Sequence, residues 1–183
     1  TAYHLKCGGV SRFEKFAVIY RDILHRPLAD GEFRRLCDEF GRFVVDEVVA
    51  APWVEGAREF LTQHHGRYRF FVVSGTPDGE MKDIVRRRGM TAWFDEVVGS
   101  PNTKDVLLRG VMERHRLQPA DLVMVGDTEI DWAAARGLGI PFIWRKAPDQ
   151  PPELPGFSGP AIASLAALSS CLSTLDGLPL EQG

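Results

Sequence analysis

Asp127 and Asp131 stand at the end of the run Val123-Met124-Val125-Gly126-Asp127-Thr128-Glu129-Ile130-Asp131. The apolar stretch reads as a strand, and Gly126 lets the backbone turn sharply where it ends. Such a turn can aim both carboxylates at one point. Two carboxylates there repel each other unless a cation lies between them. Mg²⁺ suits the pair, because it takes oxygen ligands and keeps waters that neighbouring groups can hold. A plainer alternative makes Asp127 or Thr128 a helix cap and Asp131 a surface charge.

Two further places carry groups suited to an anion. The run Phe71-Val72-Val73 is followed by Ser74-Gly75-Thr76-Pro77, two hydroxyls and a flexible glycine before a helix. Backbone N–H groups at a helix start bind anions, helped by the helix dipole. An ordinary Ser/Thr cap would look the same. Lys104 follows the Gly99-Ser100-Pro101 turn at the head of another helix. Its ammonium could neutralise phosphoryl oxygens as a point charge, although most lysines are solvated surface residues.

Strands must hold these groups, and the pattern supplies them. Short apolar runs over residues 69–74, 94–99, 121–126 and 140–144 alternate with helical stretches over 78–88, 102–115 and 129–136. Unalternated apolar strands separated by helices predict a parallel sheet covered on both faces. In such sheets ligands sit beyond the carboxyl ends of the strands, where Ser74 and Asp127 fall. The first fifty residues read differently. Ser11 and Glu14 have capping-box spacing, and Phe13, Phe16, Tyr20, Ile23 and Leu24 share a helical face that Pro27 ends. Asp30 can cap a second helix running to Val48. A helix over 55–65 stops at Gly66, residues 148–160 form a proline-rich connection, and Ile162, Leu165, Leu168 and Leu172 predict a last docked helix. The expected division is a helical segment 1–50 and an α/β core 51–183.

Composition narrows the function. A net charge of −3 in 183 residues argues against a dedicated nucleic-acid or membrane-surface binder. No apolar run is long enough to span a bilayer. Arg86, Arg87 and Arg88 precede Gly89 and read as a solvated helix C-terminus. Cys7, Cys37 and Cys171 match no zinc spacing and fit reduced thiols of a cytoplasmic protein. His64 and His65 read as helix-end residues, and Trp53, Trp93, Trp132 and Trp144 as packing. The chain opens with Thr1, so it is expected to be processed or a piece of something longer.

Taken together, Ser74, Lys104 and Gly126-Asp127-x-x-x-Asp131 resemble motifs two, three and four of the haloacid dehalogenase (HAD) superfamily, in order, spacing and strand context. Pro52 followed by Gly56 resembles the stretch before its motif-two strand. The resemblance implies a HAD-like Rossmannoid parallel sheet with a small helical cap at 1–50. The arrangement resembles the phosphoglycolate phosphatase and β-phosphoglucomutase branches. It implies hydrolysis of a small phosphorylated metabolite, a phosphate monoester, through an aspartyl-phosphate with Mg²⁺. Ser74 and Gly75 would bind the phosphoryl group, and Lys104 would stabilise its charge and that of the nucleophile. Asp127 would ligate Mg²⁺, with Asp131 as ligand or as holder of metal-bound water. His4, Arg12 and Lys15 in the cap are substrate-specificity candidates.

One part of the pattern is missing. The family's motif one, Asp-x-Asp-Gly, carries the nucleophile and the general acid–base at the end of a central first strand. These 183 residues do not contain it, and it would precede Thr1. Covalent catalysis then lacks its nucleophile, so the chain is expected to turn over phosphate esters little or not at all. Losing a central strand also leaves two rows of unpaired backbone groups. Either flanking strands close up, another segment fills the slot, or the domain is marginally stable. An alternative of another class is a catalytically dead phosphate- and metal-binding module. A receiver-like signalling domain fits the leading helices poorly, and dehalogenation fits less well than phosphate chemistry because motif four keeps both carboxylates. The sequence leaves substrate identity and oligomeric state open.

Overall fold

A computed structural model describes residues 12–146 and 153–175, and these divide into two compact units. Among them, no helix is long and apolar enough to cross a membrane. His4, Cys7 and Ser11 lie outside the described residues, as do the side chains of Arg12 and Glu14, so the proposed capping box and two of the cap candidates have no structural account.

The first unit takes in residues 12–51 and 69–116. Helix α1 (Arg12–Val18) does not run on as an α-helix to Leu24. It widens into a π-helical turn over Ile19–Ile23, in which Leu24 N–H donates to the Ile19 carbonyl at 2.9 Å. His25 follows with a positive φ of 50°. Helix α2 (Asp30–Ala50) takes the expected apolar stripe, and α1 lays Phe13 and Phe16 on its Phe33 and Phe40 at ring distances of 6.1 and 5.7 Å. Asp30 is not its cap. Ala29 takes that position without a side-chain bond, and Asp30 complements the dipole from the first turn.

Strand β1 (Phe71–Pro77) pairs in parallel with β2 (Glu96–Ser100), and α4 (Asp78–Arg87) connects them. Helix α5 (Lys104–His115) follows β2. Val98, Leu107 and Val111 form a buried core, with Phe71 and Val73 packed against it. The arginine run at the end of α4 is not merely solvated, contrary to the sequence reading. Arg88 Nη1 donates to the carbonyls of Val48 at 2.7 Å and Ala51 at 2.8 Å, and Arg87 pairs with Asp46 at 2.8 Å. The last turn of α2 has orphan carbonyls, and a guanidinium from the neighbouring helix satisfies them. At the amino ends of the strands, His115 Nε2 meets Glu96 Oε2 at 2.9 Å while its Nδ1 faces Arg69.

The second unit takes in the described residues of 52–68 and 117–175. It holds α3 (Ala57–His64), β3 (Met124–Gly126), α6 (Glu129–Gly137), β4 (Phe142–Arg145), β5 (Ala161–Ile162) and α7 (Leu168–Leu175). Strands β3, β4 and β5 pair in that order, all in parallel. Strand β5 corrects the sequence reading, which put Ile162 on a helix. A two-residue strand has too short a pattern to declare itself. Phe157 stands edge-on to Phe142, Trp144 and Trp132, so two of the tryptophans do pack. His64, near the end of α3, hydrogen-bonds Ser169 at 3.0 Å and packs on Phe60.

The fold class is therefore α/β with parallel strands, as expected. The sheet is in two pieces, β1–β2 and β3–β4–β5, as an incomplete core would be.

Candidate active site

In the second unit, the end of β3 is built around Asp131. Thr128 is the N-cap of α6: its Oγ1 accepts from Asp131 N–H at 3.2 Å. In return, the Asp131 carboxylate Oδ2 accepts from Thr128 Oγ1–H at 2.6 Å and Thr128 N–H at 3.2 Å. This reciprocal capping box satisfies two orphan donors. Asp131 is only 4% exposed, so it is not a surface charge. Gly126 explains the room it occupies. A Cβ on Gly126 would lie 2.5 Å from Asp131 Cβ and 3.0 Å from the Phe142 ring. Glycine is thus required here for the close approach of a side chain. Asp127 occupies the bend between Gly126 and Thr128. Of the plainer alternative, the cap is present at Thr128, and Asp131 is its buried capping-box partner instead of a surface charge.

In the first unit, Ser74 and Gly75 lie where β1 bulges. Val73 pairs with Val98 and Pro77 with Ser100, so residues 74, 75 and 76 stand opposite Gly99 alone. Bulges of this kind re-aim side chains and are frequent beside active sites. Ser74 is not a helix cap. Its Oγ accepts from Thr76 N–H at 3.1 Å, a local turn that leaves its own proton to donate. Pro77 stands at the N-cap of α4 without a side-chain bond. Asp78 and Glu80 already complement the helix dipole in its first turn, so the dipole offers a phosphate less than the sequence reading assumed.

Sequence reasoning missed Asp78 and Gly99. Asp78 Oδ1 accepts from Gly99 N–H at 3.2 Å, and its Oδ2 pairs with Lys82 at 2.6 Å. The Lys82 hydrogen bond, helped by the Gly99 N–H, holds the Asp78 carboxyl below its ordinary value against the opposing effect of burial. A Cβ on Gly99 would fall 2.3 Å from the Thr76 carbonyl oxygen. The signal available was Gly99 itself, a glycine inside a strand pattern, which often marks a bulge or a close backbone approach.

Lys104 is the first residue of α5, with Thr103 at the N-cap. A cation in a first turn opposes the helix dipole. Asp105 follows it, and the Thr103 hydroxyl keeps that carboxyl below the usual range. Lys15, the third cap candidate, is a half-buried residue of α1.

Ser74, Gly75 and Lys104 thus belong to the first unit, and Asp127 and Asp131 to the second. Among the described residues, no three His, Cys, Asp or Glu side chains cluster to hold a metal. The carboxylate oxygens at the end of β3 have the right chemistry for Mg²⁺, which commonly uses one or two carboxylates and retains several waters.

Comparison with known proteins adds the following. Residues 17–145 match a family model described as haloacid dehalogenase-like hydrolase. A phosphoglycolate phosphatase of Vibrio vulnificus (strain YJ016) is 30% identical over 81 residues, which are 42% of this chain and 36% of that protein. One from Vibrio cholerae is 29% identical over 84 residues, or 43% and 37% of the two chains. The matched stretch thus spans little more than a third of the length of these relatives. Among solved structures, a β-phosphoglucomutase of Clostridium difficile superposes with a TM-score of 0.76 at 11% identity, covering 97% of this chain and 83% of that one. A predicted phosphoglycolate phosphatase of Haemophilus somnus 129pt gives 0.72 at 17% identity, covering 92% and 80%.

Proposed function

The chain belongs to the haloacid dehalogenase-like hydrolase family, and from that membership we propose that it carries the phosphate- and magnesium-binding half of a phosphatase for small phosphate monoesters. The observation that carries this is the buried Asp131 capping box against Gly126, set directly behind Asp127 at the carboxyl end of a parallel strand. A capping box needs neither a second carboxylate at Asp127 nor a glycine-wide cradle.

In this reading Ser74 donates its hydroxyl proton to a phosphoryl oxygen, and the bulge at Gly75 brings backbone close to the same group. The Lys104 ammonium offsets charge on the phosphoryl oxygens, a fixed electrostatic contribution of the kind that usually dominates such catalysis. Asp127 is the residue to ligate Mg²⁺. Asp131, whose Oδ2 is committed to Thr128, positions the turn and would hold metal-bound water. Bound Mg²⁺ would supply charge neutralisation for the transferring group. The division into a helical cap at 1–50 and a core at 51–183, a small phosphorylated metabolite as ligand and a cytoplasmic location are parts of the same proposal.

The nucleophile sets the limit on turnover. No Asp-x-Asp-Gly occurs in residues 1–183, and without a carboxylate in that role the covalent route has no first step. A chain of these residues therefore binds phosphate without hydrolysing esters at a useful rate. The test is a ³¹P NMR titration of inorganic phosphate beside an assay on a generic aryl phosphate, both with Mg²⁺. Binding weakened about tenfold in Ser74→Ala and Lys104→Met, with turnover near background, is the expected result. Robust magnesium-dependent turnover would refute the limit, and phosphate binding indifferent to both substitutions would refute the site.

A further inference from the structure

Among the described residues, three buried side-chain polar atoms have no hydrogen-bond partner: Ser100 Oγ, Trp144 Nε1 and Arg145 Nε. Each stands in one of the last two positions of a strand, Ser100 in β2 and the others in β4. Buried polar groups in folded proteins are almost all paired, so an orphan needs a reason. Ligands of open parallel sheets bind beyond the carboxyl ends of the strands, where these three stand.

Arg145 is the sharpest case, because it carries a full charge. The register pairs Gly126 with Trp144, so Asp127 and Arg145 are the residues that follow this pair in the second unit, Asp127 in the bend after β3 and Arg145 at the end of β4. On its other side Arg145 pairs with Ile162 of β5, which fixes its backbone. No salt bridge involves Arg145 among the described residues. The adjacent cation, Lys146, lies over the Trp144 ring at 4.9 Å instead. A guanidinium has donors and no acceptor, so the partner its Nε lacks is an acceptor. A water molecule would satisfy the hydrogen bond but not the charge; an oxyanion does both.

We propose that Arg145 binds an oxyanion of the ligand, a phosphoryl or carboxylate group, at the carboxyl end of β4. This deepens the phosphatase reading and rests on it for the nature of the ligand. It adds an anion anchor that none of the resembled motifs contains. Asp127 and Asp131 would repel an anion placed here, so binding is tighter when Mg²⁺ is present to offset them.

The test uses the whole chain and the ¹H–¹⁵N signal of the Arg145 Nε–H, identified by its disappearance in Arg145→Lys. Inorganic phosphate and acetate are titrated separately, with and without Mg²⁺. Movement of the signal with phosphate identifies a phosphoryl site; movement with acetate alone identifies a carboxylate site on the ligand. Arg145→Met is expected to weaken binding of the effective anion about tenfold or more, with Arg145→Lys recovering part. A signal that neither anion moves, together with wild-type affinity in Arg145→Lys, overturns the proposal even if Arg145→Met does not fold. Ser74→Ala separates the two readings. If it abolishes phosphate binding while Arg145→Lys is silent, the phosphatase reading stands and this inference falls. The reverse pattern removes the motif-based site and keeps Arg145.

Discussion

At the scale of single residues, the arrangement around Asp131 makes the firmest predictions. Gly126→Ala would force a methyl against Asp131 Cβ and the Phe142 ring. Overpacking of a fixed site costs about 1–3 kcal/mol, and urea unfolding should show a loss in that range. Thr128→Ala removes the N-cap and should cost about 1 kcal/mol by the same measurement. Unchanged stability in both would mean that the turn is looser than described. Asp78 gives a pH prediction. Its folded value is depressed, chiefly by Lys82, so it contributes stability above its unfolded value, which is lost as pH falls through the folded value. Thermal midpoints should therefore fall below about pH 4 more steeply for the native chain than for Asp78→Asn. The side chain is 43% exposed, so the difference is small. Parallel curves for the two proteins would contradict the assignment. Ser74, Asp127 and Asp131 could be singled out in the sequence because they follow apolar runs that read as strands, and Lys104 because it heads a helix after the Gly99-Ser100-Pro101 turn. The sequence did not show Asp78, because an acidic residue in a first helical turn looks ordinary until its partner, Gly99, is known.

At the scale of elements, caps and close approaches decide where the helices stop and dock. Gly56 stands at the N-cap of α3 with φ of 77°, and a Cβ there would lie 2.1 Å from Ala166 N. Leu165 N–H donates to the Glu55 carbonyl at 2.9 Å beside it. Gly56→Ala combines a strained φ with a backbone clash and should cost more than the about 1 kcal/mol of a simple left-handed penalty. Arg88→Ala should destabilise by about 1.5–3 kcal/mol, since a charged donor leaves the end of α2. Chemical denaturation checks both, and stability within a few tenths of a kcal/mol of the native chain would argue against these contacts. Helix α2 was legible because a long amphipathic period is robust, and α4, α5 and α6 because they fall between apolar runs that read as strands. The π-turn over Ile19–Ile23 was not, since its apolar spacing also fits an α-helix. Nor was the bulge in β1, which depends on the partner strand.

At the scale of the whole molecule, the parallel sheet in two pieces is the main structural fact. Strand β3 leaves Val125 36% exposed, with Val123 just before it at 38%, more open than an internal parallel strand should be. The alternation of strands and helices announced the fold class. Sequence could not say which strands would pair, because that depends on backbone hydrogen bonds rather than side-chain pattern. Within the second unit, the central proposal is that the carboxyl ends of β3 and β4, with Asp127, Asp131 and Arg145, hold one cation and one phosphate. Coupling between two ligands at a shared site is reciprocal, so phosphate affinity measured by calorimetry with and without Mg²⁺ tests it most directly. Mg²⁺ should tighten phosphate binding about tenfold in the native chain and leave it unchanged in Asp127→Asn. Phosphate affinity indifferent to Mg²⁺ in the native chain, or an equal response in Asp127→Asn, would contradict the claim.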